Sequence, residues 1–259
     1  MESLPAKIYG IFSRETEITV GTGATKRKAL SKTYWFAREI DANKVELKSL
    51  DADFVPRGEA ILLERGEVLG EYLPEPQRTF KHLSGPLMQG DCCRERGNHQ
   101  GAVREYEKVR IIDEENIRAN FGLGISYLAM ERHDKALYVF RDILGLDEAF
   151  REEHKHLFNE FGISLRRKRL YAETLEFYFK AQEMTSMDEN LQFNIARAFF
   201  EMGDTDKAVS HLLKALDINS YFEEGHKFAR FLLHGGHLPE DDMRRGQLEF
   251  SLKVSGMEP

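Results

Sequence analysis

The residues with the most evident chemical potential lie in Gly21-Thr-Gly-Ala-Thr-Lys-Arg-Lys28. A glycine-rich backbone can turn its N–H groups toward a phosphate, and Lys26, Arg27 and Lys28 would add charge. The spacing matches neither familiar phosphate cradle: no Gly-Lys-Ser/Thr follows, and the third glycine of the dinucleotide fingerprint is missing. The bland alternative is a hairpin tip with solvated charges. These cations and Lys32 stand near Tyr34, Trp35 and Phe36, and charge combined with stacking is how single-stranded nucleic acid is held. Residues 1–50 carry nine basic and six acidic side chains, so this stretch is locally positive. Alternation along a strand, however, sends at least one side of the aromatic run into a core.

Glu152-Glu-His-Lys-His places His154 and His156 where a metal site is conceivable. Two ligands are too few for a closed zinc site, and a solvated helix face is the expectation. Cys92 and Cys93 are adjacent, so they form no disulfide framework and suit a reducing compartment. Cys93 shares a register with Tyr127 and Phe199 and is expected in the core. No Gly-x-Ser-x-Gly and no His-Glu-x-x-His occurs. The sequence argues against an enzyme and implies no catalytic residue, metal or cofactor.

The chain has 259 residues, 41% hydrophobic and 31% charged, enough apolar material to bury a core. A net charge of −7 argues against a protein that coats nucleic acid with its whole surface. No run approaches the roughly 18 apolar residues of a membrane span. The opening Met1-Glu-Ser-Leu-Pro-Ala-Lys lacks the apolar stretch of a signal peptide. A cytoplasmic protein is expected.

Three rows of residues share one spacing. Gly90, Gly124, Gly162 and Ala196 are separated by 34, 38 and 34 residues, as are Ala102, Ala136, Thr174 and Ala208, and Tyr106, Phe140, Tyr178 and Leu212. Each unit reads as two helices. In the second, Phe121, Leu123, Tyr127 and Leu128 make one apolar stripe, Glu131-Arg-His-Asp turns, and Ala136, Leu137, Phe140, Ile143 and Leu144 make the other. Small residues at Gly124 and Ala136 allow close helix approach. Asp113-Glu-Glu-Asn and Asp188-Glu-Asn offer capping side chains to the helices that follow. The 38-residue step adds four residues, about one helical turn, and predicts that 148–155 lengthens a helix.

Gly124-Ile-Ser-Tyr127, then Ala136 and Phe140, repeated at 34, resemble the tetratricopeptide repeat over roughly residues 83–222. Pro86 and Gln89 in the first unit, and Thr174 in the third, depart from the motif. The resemblance implies a mainly α fold: a solenoid of about four helical hairpins at 83–116, 117–150, 151–188 and 189–222. A capping helix and tail would follow at 223–259, where Arg230 occupies the small-residue register and blocks an ordinary partner helix. Gly235-Gly236 ends that helix, and Pro239 to Lys253 is expected as an amphipathic cover.

The resemblance also implies a concave groove lined by first helices, and an interaction scaffold or adaptor that binds a protein or peptide segment there. The matching positions are Arg118, Phe121, Ile125, Asn159, Ile163, Arg166, Arg167, Phe193, Arg197 and Lys227, with His156, Asn190 and Phe231 also on that wall. Apolar residues among arginines suit a partner with apolar anchors and acidic flanks. The family's clamp for a chaperone's terminal carboxylate is not matched, because Leu87, Asp91, Gly122, His156 and Glu160 stand at its positions. Oligomeric state and partner identity are left open.

Residues 1–80 suggest a small β-rich domain, with strands at 7–12, 33–40, 45–50 and 59–63, a hairpin loop at Asp41-Ala-Asn43 and a short helix at 65–73. Its size favours docking on the solenoid. Contact with nucleic acid through Lys26, Arg27 and Lys28 is the alternative function, and an enzyme site in this unassigned part is a third reading.

Overall fold

In the computed structural model, residues 7–22, 25–184, 187–238 and 243–254 are described. Gly23 and Ala24 of the glycine-rich loop, and Pro239 at the start of the expected cover, lie outside them. The chain divides into two compact units, Met1–Ser126 and Tyr127–Pro259.

The first unit opens with an antiparallel sheet of β1 (Tyr9–Val20), β2 (Arg27–Glu39), β3 (Lys44–Leu50), β4 (Pro56–Glu64) and β5 (Leu73–Pro74), in the order β4-β3-β2-β1-β5. The β2–β3 turn is held by Asp41, whose Oδ1 accepts from the N–H groups of Asn43 and Lys44 at 2.9 Å each. Ile8, Phe12, Ala37, Val45 and Leu47 bury one sheet face against Val68 of α1 (Arg65–Glu71) and Tyr72. The first hairpin is longer than its hydrophobic pattern suggests, pairing Val20 with Arg27 beyond the core.

Helices follow at α2 (Pro76–Thr79), α3 (Gly85–Glu95) and α4 (His99–Ile112), with a π-turn over Phe80–Ser84. Pro86 has no N–H for an ordinary helical bond, and the wider turn accommodates it. The sheet docks on the segment after α4. Tyr9 donates its hydroxyl to Asp113 at 2.8 Å, and Arg38 reaches Glu115 at 2.7 Å and Glu46 at 3.0 Å. Burial and the Asp113 carboxylate raise the Tyr9 pKa, so it remains a neutral donor. Asn116 caps α5 (Ile117–Ala129) by accepting from the Ala119 N–H at 2.9 Å.

The second unit contains α6 (His133–Leu144), α7 (Lys155–Arg167), α8 (Tyr171–Met184), α9 (Glu189–Met202), α10 (Thr205–Ile218), α11 (Glu223–His234) and α12 (Met243–Val254). Asp188 caps α9 through the N–H groups of Asn190 and Leu191, and Asp204 caps α10 through Lys207. A fourth row with the 34, 38, 34 spacing lies in the backbone itself. Gly97, Glu131, Arg169 and Gly203 have φ of +74°, +59°, +60° and +95° at the turn inside each hairpin.

Two expectations need correction. The four additional residues do not lengthen a helix: α6 ends at Leu144, and short 3₁₀ turns occupy Asp147–Phe150 and Glu152–His154. Arg151 is extended, and Phe150 is fully buried with its ring 5.2 Å from that of Phe177, so apolar burial anchors the segment as a plug. Cys93 is half-buried beside Gln89, as is Cys92, rather than in the core. Arg230 is half-buried, and the helix that covers α11 is α12, within the segment expected as the amphipathic cover. Ala229 beside it is the fully buried small residue, and Leu248 and Leu252 of α12 join the core of Leu212, Leu216 and Leu232.

Candidate partner-binding groove

Phe193, Arg197 and Phe200 recur at helical spacing on α9, so their side chains share a face. On α11, Phe231 follows Lys227 by four residues and Phe228 by three, which brings both beside it. Together with Glu201 and Glu224 they line a cavity of 410 Å³ within the second unit. Its aromatic wall is built edge to face: Phe193 and Phe228 centroids are 5.9 Å apart, Phe200 and Phe228 5.5 Å, and Phe200 and Phe231 5.6 Å. Such pairs hold the rings in fixed orientations. Phe231 remains 50% exposed, so the wall offers apolar surface to solvent.

Charge gathers at one end. Arg166 on α7 and Arg197 on α9 both ion-pair with Glu201, the latter at 3.6 Å. Burial, then the like charges of Arg166 and Arg167, lower the Arg197 pKa against the pull of Glu201. Two guanidiniums therefore share one carboxylate, with the charge of Arg167 acting on Arg197 beside them. Arg197 also lies over the Phe193 ring at 6.0 Å. Lys227, on the other helix, pairs with Glu223 at 2.6 Å on the surface.

The remaining groove candidates divide. Asn159 accepts from Asn194 at 3.3 Å and is half-buried, as is Ile163, while Arg167 is exposed. Phe121 is fully buried and Ile125 is 7% exposed, so neither is an open anchor. The reason is visible in α5, where every residue from 119 to 128 is buried: the stretch is apolar or small on most sides, Asn120 and Ser126 are its buried polar residues, and protein encloses it. Arg118 is half-exposed but bound to Asp91, its Nε donating at 2.7 Å. Sequence reasoning passed over Phe200 and Glu201 as groove residues. The spacing of seven from Phe193 to Phe200 is the signal that could have found the ring.

Lys26, Arg27 and Lys28 are exposed on the β1–β2 hairpin, and Lys28 pairs with Glu17 at 2.9 Å. The nearby aromatic rings are already engaged. Arg78 stands 4.3 Å over Tyr34, Trp35 meets Tyr72 edge-on at 6.0 Å, and Phe36 is buried. The stacking half of a nucleic-acid site is thus not assembled by these three rings. His154 approaches Glu153 at 3.5 Å, and His156 is exposed. Among the described residues no three His, Cys, Asp or Glu side chains gather as metal ligands would, and no helix is long and apolar enough to cross a membrane.

The tetratricopeptide repeat family model matches residues 190–222. The peroxisomal targeting signal receptor of Eremothecium gossypii is 27% identical over 128 residues, covering 45% of this chain and 22% of that receptor. Of solved structures, MamA is similar with a TM-score of 0.48 and 18% identity, covering 66% of this chain and 88% of that one. Pseudomonas aeruginosa pilF has a TM-score of 0.48 and 17% identity, covering 68% and 77%. The family match identifies α9 and α10 as a tetratricopeptide repeat, and the helical hairpins before them carry the same residue spacings.

Proposed function

We propose that the chain is a protein-interaction scaffold that holds an extended or helical partner segment in the α9–α11 groove. The supporting observation is the cavity itself: four phenylalanines form an apolar wall, and Arg197 and Lys227 stand at its margins. An apolar anchor would bury against Phe228 and Phe231, while acidic flanks would meet the cations. The similarity to a targeting-signal receptor agrees with segment recognition. Arg166, Arg167, Asn159 and Ile163 would extend the binding wall along α7.

Quantitative affinity capture with the intact chain tests this, followed by direct titration of the captured partner's purified segment. Phe228→Ala with Arg197→Glu should weaken binding by about tenfold or more, because an apolar contact is lost and an attraction becomes a repulsion. Lys214→Glu, on the exposed face of α10, should leave binding unchanged. Equal loss in both variants would move the binding surface off the groove.

A further inference from the structure

The first and third hairpins contain the same buried apparatus with one part exchanged. In the first, Tyr106 donates its hydroxyl to Asp91 at 2.5 Å, Arg118 binds the other oxygen of that carboxylate, and Arg94 acts on the same hydroxyl. The repeat spacing carries Tyr106 to Tyr178 and Arg94 to Arg166, so tyrosine and arginine recur together. It carries Asp91 to Ile163. The carboxylate has no counterpart at its own position.

The consequence is measurable. Tyr178 is fully buried, and among the described residues its hydroxyl has no hydrogen-bond partner, nor does the buried Nε of Arg166. Unpaired buried polar atoms are costly, and the first hairpin shows how this chain satisfies the equivalent tyrosine hydroxyl when it supplies the acceptor. Glu201 from the next hairpin engages Arg166 and Arg197 but leaves those two donors open. The Arg197 side chain is 43% exposed, which puts a solvent approach beside the cluster.

We propose that Tyr178, Arg166 and Arg197 form a carboxylate-binding subsite, in which a ligand's carboxylate takes the place that Asp91 fills in the first hairpin. This deepens the groove reading and rests on it. Arg197 lines both the subsite and the phenylalanine cavity, so the ligand is an apolar or aromatic group carrying a carboxylate, from either a chain end or an acidic side chain. Arg197 and Arg166 attract the anion, and the Tyr178 hydroxyl and Arg166 Nε–H supply directed donors.

The test titrates the full chain with 3-phenylpropionate and, separately, its neutral amide, following the arginine Nε–H and phenylalanine ring signals by NMR. The acid should shift Arg166 and Arg197 saturably and bind about tenfold or more tighter than the amide. Tyr178→Phe should remove most of that preference without lowering stability, since it deletes only an unpaired hydroxyl, whereas Tyr106→Phe should destabilise. Ile163→Asp should restore the internal acceptor and abolish the acid's advantage. Equal binding of acid and amide, with the Phe193 signals still moving, would overturn the subsite and leave the groove standing. No saturable shift at either the arginines or Phe193 would overturn both. Acetyl-Phe-Leu with a free terminus and acetyl-Phe-Glu amide then separate the two sources: whichever shifts Arg166 more strongly identifies the carboxylate, and failure of both counts against the subsite.

Discussion

Tyr178 fills the space that Gly162 leaves: a methyl group on Gly162 would lie 2.4 Å from Tyr178 Cε1. Gly90 and Tyr106 stand in the same relationship at 2.6 Å, sixteen residues apart in both cases. The repeated glycine and aromatic rows are therefore two halves of one contact, helix backbone against ring. Gly162→Ala should cost about 1–3 kcal/mol, because the buried ring must move. Gly246→Ala in α12, with nothing within 4 Å, should instead stabilise by about 0.5–1 kcal/mol through helix propensity. Urea denaturation of the two variants reads the opposite signs.

Glu131 and Arg169 occupy left-handed turn positions that Gly97 and Gly203 fill in the other hairpins. A side chain pays in sterics there, so Glu131→Gly and Arg169→Gly should each stabilise by about 0.5–1 kcal/mol despite the added freedom of the unfolded chain. The Glu131–Lys168 ion pair, at 3.3 Å with Glu131 78% exposed, offsets little of this. Conversely, Gly203→Ala should destabilise. Thermal denaturation of all three variants checks the pattern.

His211 stacks on Phe199 at 5.5 Å, and its Nδ1 lies 2.8 Å from Gln192 Oε1. Burial, then the Lys214 charge, lowers its pKa from 6.5 to about 4. The unfolded chain therefore binds the extra proton first as pH falls. The associated stability is complete above pH 6.5 and declines toward pH 4, by at most about 1.4 kcal/mol per pH unit. His211→Gln should flatten that part of the stability profile. An unchanged slope would show that other groups set it.

Leu248 and Leu252 of α12 are fully buried against the core that includes Leu216 and Leu232. Ending the chain after Gly236 should expose that apolar face, giving dye binding and concentration-dependent association. A truncated chain that remains monomeric and melts at the same temperature would assign α12 no covering role.

The repeat architecture was legible because packing imposes a period that composition cannot hide. Gly90, Gly162, Tyr106 and Tyr178 must recur at fixed offsets if ring and backbone are to meet. The β-rich start was equally readable from alternation and turn residues, including Asp41. What escaped was everything decided by neighbours far along the chain. The segment at 147–154 matched a helical turn in length, but Phe150 gained more by plugging the core beside Phe177 than by extending a helix. Phe121 and Phe193 hold equivalent repeat positions, yet one is enclosed and the other lines an open cavity. A period specifies which helix face a residue occupies; whether that face meets solvent or protein depends on what packs over it, which only the tertiary structure decides.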